Sequence, residues 1–370
     1  MKTTIHTTIS SIGEKTWNSL ASTPVFLDYR FFNGLEQSDS LATKSGWGPL
    51  YFVLEDSDKL AILYSFAKKH SYGEYIFDWS WADAYHHHGL DYYPKLTSMI
   101  PFTPATTNHF LMQHFDESLA HRLLDSYEAY YAEHNYSTNH FLFLCEKEIP
   151  IFSSREYLIR ESLQYHFLNP GYKDFSDFLS TVKNKKAKQI RKERLFSHEI
   201  TIAEYSGDQI RPLHAQELWH FYLATIAQKG AIPYLNKIFF SNVFHNMKEH
   251  ILYINATRGD KVIAGALFFF DQERLYGRYW GAHENHPNLH FELCYYRGID
   301  FCIKNKLSVF EAGAQGEHKI GRGFTPSRTY SAHQIKNPLF KKAIENFIHE
   351  EKKSLQLTIE SLQKRLPFKN

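Results

Sequence analysis

The sequence predicts a mixed α/β fold, built twice along one chain. Three observations carry this. The stretch from Ala264 to His333 reads as strand, turn, strand, helix, strand and a polar glycine-rich tail. A strand joined through a helix to the next strand is the unit that holds ligands at its strand ends. The first half gives a similar order of elements, although no residue-level repeat is visible. At 370 residues the chain is long for one core, so two domains are expected. Residues 1–150 form the first and 151–345 the second, which opens with a basic helix. Residues 346–370 add a C-terminal helix.

The first half begins with a short helix at Glu14–Ser22 and continues through Asp28-Tyr-Arg-Phe-Phe32. Strands are expected at Leu50–Leu54, Leu60–Lys68 and Glu74–Trp79, separated by Glu55-Asp-Ser-Asp58 and His70-Ser-Tyr-Gly73. Trp79–Gly89 reads as a loop leading into a short helix. Tyr93–Ile100 is a fourth strand, and Pro101–Thr107 a loop. Phe115–His134 is a helix, with Leu119, Leu123, Tyr127 and Tyr130 at helical spacing. Phe141–Cys145 closes the half as a strand, and Ile149–Gln164 links the halves.

Asp174–Arg194 reads as one two-sided helix. Phe175, Phe178, Leu179, Val182 and Ile190 make one face, and seven cations crowd the rest, with Glu193 the only acid from residue 178 onward. Glu199–Tyr205 is a strand, His214–Gln228 and Leu235–Lys248 are helices, and Ile251–Thr257 is a strand. Ala264–Phe270 and Leu275–Ala282 form a hairpin around Asp271-Gln272-Glu273-Arg274. His290–Lys306 is a helix, Leu307–Glu311 a strand, and Ala343–Leu366 a charged last helix.

Composition excludes several classes. The net charge of +2 gives no whole-molecule case for nucleic acid, so only local clusters could supply one. Three cysteines, Cys145, Cys294 and Cys302, do not make a disulfide framework and suit a reducing compartment. Met1–Ser22 lacks the apolar core of a secretory signal, and no apolar run reaches membrane-spanning length. The expectation is a cytoplasmic protein without stable membrane insertion.

The densest charge feature is Lys183–Arg194. Most charge runs are solvated helix faces. Cations at this density also repel one another, and an anionic partner would relieve that, with Lys188, Arg191 and Lys192 as its contacts. Glu292 opens the central helix. It is either a favourable charge at a helix start or a general base within reach of an amine. Tyr296, one turn on, is a candidate acid, as is Tyr330. His283, His286 and His290 straddle a turn with Pro287 and do not share a face, which argues against a metal site. The consecutive histidines at 86–88 read as a loop cluster.

Asp78-Trp-Ser-Trp-Ala-Asp83 and Lys95 could line an aromatic cleft. Asp78, Trp79, Trp81, Asp83 and Lys95 are therefore candidate substrate contacts. So are Tyr279, Trp280, Glu311, Gln315, Lys319, Arg322 and His333, around Gly313, Gly316, Gly321 and Gly323, where close backbone approach is expected. The expected site joins Tyr279–Ala282, Glu292, Glu311–Gly316 and Tyr330–His333.

Gln164-Tyr-His-Phe-Leu-Asn-Pro-Gly-Tyr172, Phe175-Ser-Asp-Phe-Leu179, Lys188-Gln-Ile-Arg-Lys-Glu-Arg194 and Thr329-Tyr-Ser-Ala-His333 resemble the FemAB-like bacterial proteins of peptidoglycan biosynthesis or recognition. Asp78–Asp83 and Tyr93-Pro-Lys95 fit the same family, and the resemblance covers nearly the whole chain. It implies a mixed-sheet α+β fold of two tandem GNAT-like acyltransferase domains, distantly similar to the Fem aminoacyltransferases. The implied activity is transfer of an acyl or aminoacyl group to an amine, with a cell-wall precursor as acceptor. The implied donor is an aminoacyl-tRNA or acyl-CoA, with no permanently bound cofactor. The pyrophosphate loop of CoA-dependent GNAT enzymes has its nearest match in Arg278-Tyr-Trp-Gly-Ala-His283, which ends in His where a small residue is needed. The alternative is a non-catalytic module that binds peptidoglycan fragments or RNA ends.

Overall fold

The computed structural model describes residues 2–21, 24–56, 59–196, 198–313 and 316–369. The end of the first expected helix at Ser22, half of the Glu55–Asp58 turn, and Gln315 lie outside these. The chain divides into two compact units. One comprises Met1–Ser162 with Arg328–Leu357, the other Leu163–Ser327 with Thr358–Asn370.

The first unit starts with β1 (Lys2–His6), α1 (Glu14–Leu20) and α2 (Tyr29–Gln37). A long hairpin follows, β2 (Trp47–Asp56) and β3 (Lys59–Lys68), then α3 (Trp79–His87) and β4 (Lys95–Ser98). The short β5 (Phe110–Met112) leads to α4 (Glu117–Glu133) and β6 (Thr138–Leu142). β1, β2, β3 and β4 pair antiparallel in that order, and β4 pairs parallel with β6. The last neighbour of β6 is β13 (Thr325–Ile335), antiparallel, with His333 opposite His140. α4 makes the parallel connection possible, and its Leu119, Leu123 and Tyr127 pack with Phe52, Leu63 and Phe141.

The second unit repeats this order. α5 (Ile149–Ser153) still belongs to the first unit; β7 (Leu158–Leu168), α6 (Phe175–Thr181) and α7 (Asn184–Glu193) then precede β8 (Ile200–Ser206), α8 (Pro212–Gln228) and α9 (Lys237–Asn246). β9 (Ile251–Arg258), β10 (Lys261–Phe270) and β11 (Arg274–Ala282) form a meander. α10 (Leu289–Phe291) and α11 (Arg297–Lys304) are joined by one π-helical turn, Glu292–Tyr296. β12 (Val309–Glu311) is parallel to β11, and β7 completes the row antiparallel, with His166 opposite Glu311. α12 (Pro338–Lys364) follows β13.

Each unit is thus a six-strand mixed row, four strands antiparallel, one parallel pair and a last antiparallel strand. In both, that last strand arrives from elsewhere in the sequence: β7 precedes its unit's other strands, and β13 follows the second unit's strands.

Four expectations change. Glu74–Trp79 is a turn entering α3, because Glu74 and Asp78 both reach the one Lys95 ammonium, whereas four residues along an extended strand would hold them roughly 13 Å apart. The helix expected over Asp174–Arg194 is two. Val182 is extended and bridges to Phe368, and the Lys183 amide donates to the Pro367 carbonyl, which takes both residues out of the helix. The interval read as a linker contains α5 and β7. The polar tail at Thr329–His333 is strand β13, whose polar side chains hydrogen-bond inside the first unit. Among the described residues, no helix is long and apolar enough to cross a membrane.

Candidate functional site

In the second unit β11 and β12 pair only through Arg274–Tyr276 and Val309–Glu311. Past Tyr276, β11 runs on to Ala282 while the other chain turns away at Gly313, whose φ of 82° is left-handed. The opening is walled by Trp280, His290, Phe291, Cys294 and Tyr295, and the turn Glu317–Arg322 brings His318 and Lys319 to it. Trp280 and His290 rings lie 5.2 Å apart, and Tyr295 and His318 rings 5.6 Å apart.

Lys319 is 1% exposed, and its Nζ donates to the Gly313 carbonyl at 2.8 Å. No carboxylate pairs with it among the described residues. Burial, weakly opposed by Cys294, pushes its ammonium down to about 8. His318 is exposed at the rim, and its Nε2 lies 2.8 Å from the Tyr295 hydroxyl. Burial of part of the ring and then the Arg322 and Lys319 cations lower its pKa, so the imidazole is neutral at pH 7. His290 is pushed down to about 4 by burial and the surrounding cations. Gly316, at φ 117°, is required here: a Cβ would lie 2.6 Å from the His318 ring.

Glu292 is buried in the π-helical turn rather than presented to the opening. Its carboxylate accepts from Arg194 Nε at 3.0 Å and Nη2 at 3.1 Å, and from Arg297 Nε at 2.7 Å. Such charge-assisted bonds occupy the lone pairs a base would use. Tyr296 is fully buried and donates to Glu193, and its pKa rises through burial and that bond. Arg322 stacks on Phe291 at 3.5 Å and forks onto Glu193. Tyr279 is core, edge-on to Tyr222 and Phe240. Glu311 pairs with Arg274 at 2.6 Å, on the sheet beside His166. The nearest match to a pyrophosphate loop, Arg278–His283, lies mostly inside β11. The strand-to-helix connection that follows it, residues 283–288, contains no glycine. On α7, Lys188, Arg191 and Lys192 are all exposed and, among the described residues, have no carboxylate partner.

The first unit gathers a different set. Lys95 donates to Ser71 Oγ and Glu74 Oε2, both at 2.8 Å, and to Asp78. Lys68 lies 3.7 Å from Glu74 and 3.3 Å from the Trp47 ring centroid. His140 and His333 meet through Nδ1 at 2.7 Å, with Trp81 edge-on to His333. Every one of these side chains is buried. Burial would raise Asp78, yet Lys95 and His140 outweigh it and hold the carboxylate well below its usual range. Burial would lower Lys95, and Asp78 and Glu74 reverse that. Burial does lower His140 and His333. Asp78, Trp81, Lys95 and His333 thus converge, but as a sealed core. Trp79, on the outer side of α3 against Tyr72, and Asp83 are exposed and stand apart. Tyr330, half-buried on β13, and His333 belong to the first unit, whereas Glu292, Trp280 and Lys319 belong to the second.

Sequence reading passed over Glu193, Tyr295 and His318, and weighed His290 only as a metal ligand. One signal was available. A lone acid on a basic helix marks a residue that points the other way.

The family model of FemAB-like proteins, described as peptidoglycan biosynthesis/recognition, matches residues 8–370. Among solved structures, FemX superposes with a TM-score of 0.56 at 10% identity, over 93% of this chain and 100% of that one. L-PGS from Bacillus licheniformis superposes at 0.52 and 10% identity, over 85% of this chain and 94% of that one. At such identities the likeness is one of fold. No protein of curated function matches by sequence. With two mixed-sheet units of the same strand order and a family match over residues 8–370, the chain belongs to the FemAB-like family of peptidoglycan biosynthesis/recognition.

Proposed function

We propose that the protein is an N-acyltransferase that moves an acyl or aminoacyl group onto an amine of a cell-wall precursor, with the chemistry at His318 and Lys319. The observation that carries this is a buried lysine with no counter-ion among the described residues, beside a neutral imidazole, where the parallel strands part. The amine nitrogen attacks the donor's carbonyl carbon. A C–N bond forms, and the bond to the donor's oxygen or sulfur breaks. His318 passes the proton from the amine to the leaving atom. In the tautomer whose Nε2–H is donated to the Tyr295 hydroxyl, Nδ1 is the accepting atom. The Lys319 ammonium faces the oxyanion of the intermediate. Glu292, fixed by two guanidiniums, has no part in these steps.

An aminoacyl-tRNA suits the anionic donor better than acyl-CoA. The connection from β11 to α10 lacks the glycines a pyrophosphate needs and carries Glu284, whereas α7 presents unpaired cations that track phosphates.

The test supplies purified protein with aminoacyl-tRNA or acyl-CoA and amine-bearing precursor fragments, and reads amide formation by mass spectrometry. Lys319→Met should lower turnover by about 10²–10³-fold, the usual loss for one oxyanion donor. The wild-type rate should fall as pH rises through about 8, where Lys319 loses its proton. A Lys319→Met variant with full turnover, or a rate that climbs through pH 8, would refute the assignment.

A further inference from the structure

Glu193 is the one acid on α7, and it faces inward. Its carboxylate accepts from Arg322 Nη2 at 3.0 Å and Nε at 3.1 Å, from Gln189 Nε2 at 2.8 Å, and from the Tyr296 hydroxyl. Arg322, held in this fork, donates through Nη1 to the His318 carbonyl at 2.8 Å and lies flat on Phe291. Within its own turn, Lys319 is tied by its amide to the Gly316 carbonyl at 3.0 Å and by its carbonyl to Phe324 at 3.3 Å. The i→i+3 bonds of a six-residue 3₁₀ turn order its backbone but do not hold two long side chains in place.

We propose that Glu193 is a positioning residue for the acyl-transfer site: through Arg322 it clamps the Glu317–Arg322 turn so that His318 stays on Tyr295 and Lys319 stays packed in the opening. This rests on the reading of His318 and Lys319 as the reacting groups. It gives α7 two tasks on two faces. The outward cations meet the donor, and the inward carboxylate holds the turn that acts on it.

The groups facing Lys319 are Tyr165 and His166 from β7, His290, Cys294 and Tyr295 from the central helix, and His318 and Arg322 from its own turn. None is a carboxylate, so solvent access sets its titration. That makes the titration a direct gauge of the clamp. Lysines of the full-length protein are labelled biosynthetically with ¹³C and titrated by NMR through their Cε signals, with the Lys319 signal assigned by its loss in Lys319→Arg. In wild type the midpoint is expected near 8. In Glu193→Gln the turn loosens, water reaches the amine, and the midpoint should rise by about one unit or more toward the ordinary ~10.4. Loss of the negative charge alone would shift it the opposite way, so a rise identifies loosening. Should Glu193→Gln not fold, Arg322→Lys, which keeps the charge and loses the fork, is read in the same way. An unchanged or lowered midpoint overturns the proposal. In the turnover assay, Glu193→Gln should reduce kcat at least about tenfold with donor KM unchanged, and an effect on KM alone also overturns it. A wild type that is inactive with every donor counts against the acyl-transfer reading, while the titration still decides the clamp.

Discussion

Replacing His140 with Gln should change the pH dependence of stability by about as much as it changes stability itself. His140 is buried among Asp78 from the start of α3, Lys95 on β4, Arg160 on β7, His333 on β13, and the Tyr92 and Thr138 hydroxyls. Burial, helped by Lys95 and Arg160, depresses its pKa to about 3. In the unfolded chain the value is about 6.5. Because the folded value is the lower one, the unfolded state binds the extra proton. The contribution to stability is therefore complete above about pH 6.5 and is lost as pH falls toward the folded value, at up to ~1.4 kcal/mol per pH unit. Between pH 7.5 and 4.5 one such histidine costs roughly 2–3 kcal/mol. His140→Gln removes that loss but also disturbs three hydrogen bonds, at about 1 kcal/mol each. Urea denaturation of both proteins, followed by far-UV circular dichroism at pH 7.5, 6.0 and 4.5, gives the comparison. Titrations of groups remote from His140 cancel in the difference, and those of Asp78 and His333, which face it, are counted with it. The variant should be the weaker at pH 7.5, and the gap should close by roughly 2–3 kcal/mol at pH 4.5. A gap independent of pH would mean that His140 takes up its proton in the fold as readily as in the unfolded chain, and that the reasoning is wrong.

Two further outcomes follow from side-chain placement. Lys188→Glu, Arg191→Glu and Lys192→Glu together should abolish binding of transfer RNA, measured by filter retention, while leaving the melting temperature within a few degrees, because all three side chains are exposed and unpaired. Wild-type affinity should fall steeply with added salt, and a salt-independent affinity would contradict the anion-binding role. Glu292→Gln should cost about 1–3 kcal/mol in denaturant titration, since it withdraws the anion from two guanidiniums that still keep Asp300 and Glu204. Its turnover should change by no more than a few-fold, and a loss of about 10²-fold or greater would restore it as the base.

The order of elements was legible because hydrophobic period and turn residues act locally. The hairpin β10–β11, the helix α4 and the repeat of strand order in the two halves all rest on such signals. What escaped depends on partners distant in sequence. Val182 breaks the basic helix because Phe368 pairs with it. Glu74 and Asp78 leave the strand pattern because Lys95 draws both inward. Glu292 was legible as a helix-start carboxylate, but its two arginines lie ninety-eight residues upstream and five downstream. The candidate site was half legible. Lys319, Arg322 and Trp280 stood out through glycines and charge. His318 carries no periodic signal, and its place beside Tyr295 depends on the turn that Arg322 holds.

The two units differ in how they treat a buried amine, and this decides where chemistry can occur. On matching strands, Thr97, His140 and His333 are neighbours across the first sheet, as Tyr276, Glu311 and His166 are across the second. In the first unit Lys95 meets two carboxylates, so its charge is neutralised and its donors are spent before any ligand arrives. An ion pair this deep is costly to break, since removing either partner strands a buried charge at about 3–5 kcal/mol. In the second unit Arg274 takes Glu311, and among the described residues Lys319 Nζ donates only to the Gly313 carbonyl. A buried ammonium bound to one neutral acceptor has donors left over, and a developing oxyanion is the partner that would use them. Duplicating the fold thus leaves one copy with its polar interior closed and the other with an unspent charge at the strand opening.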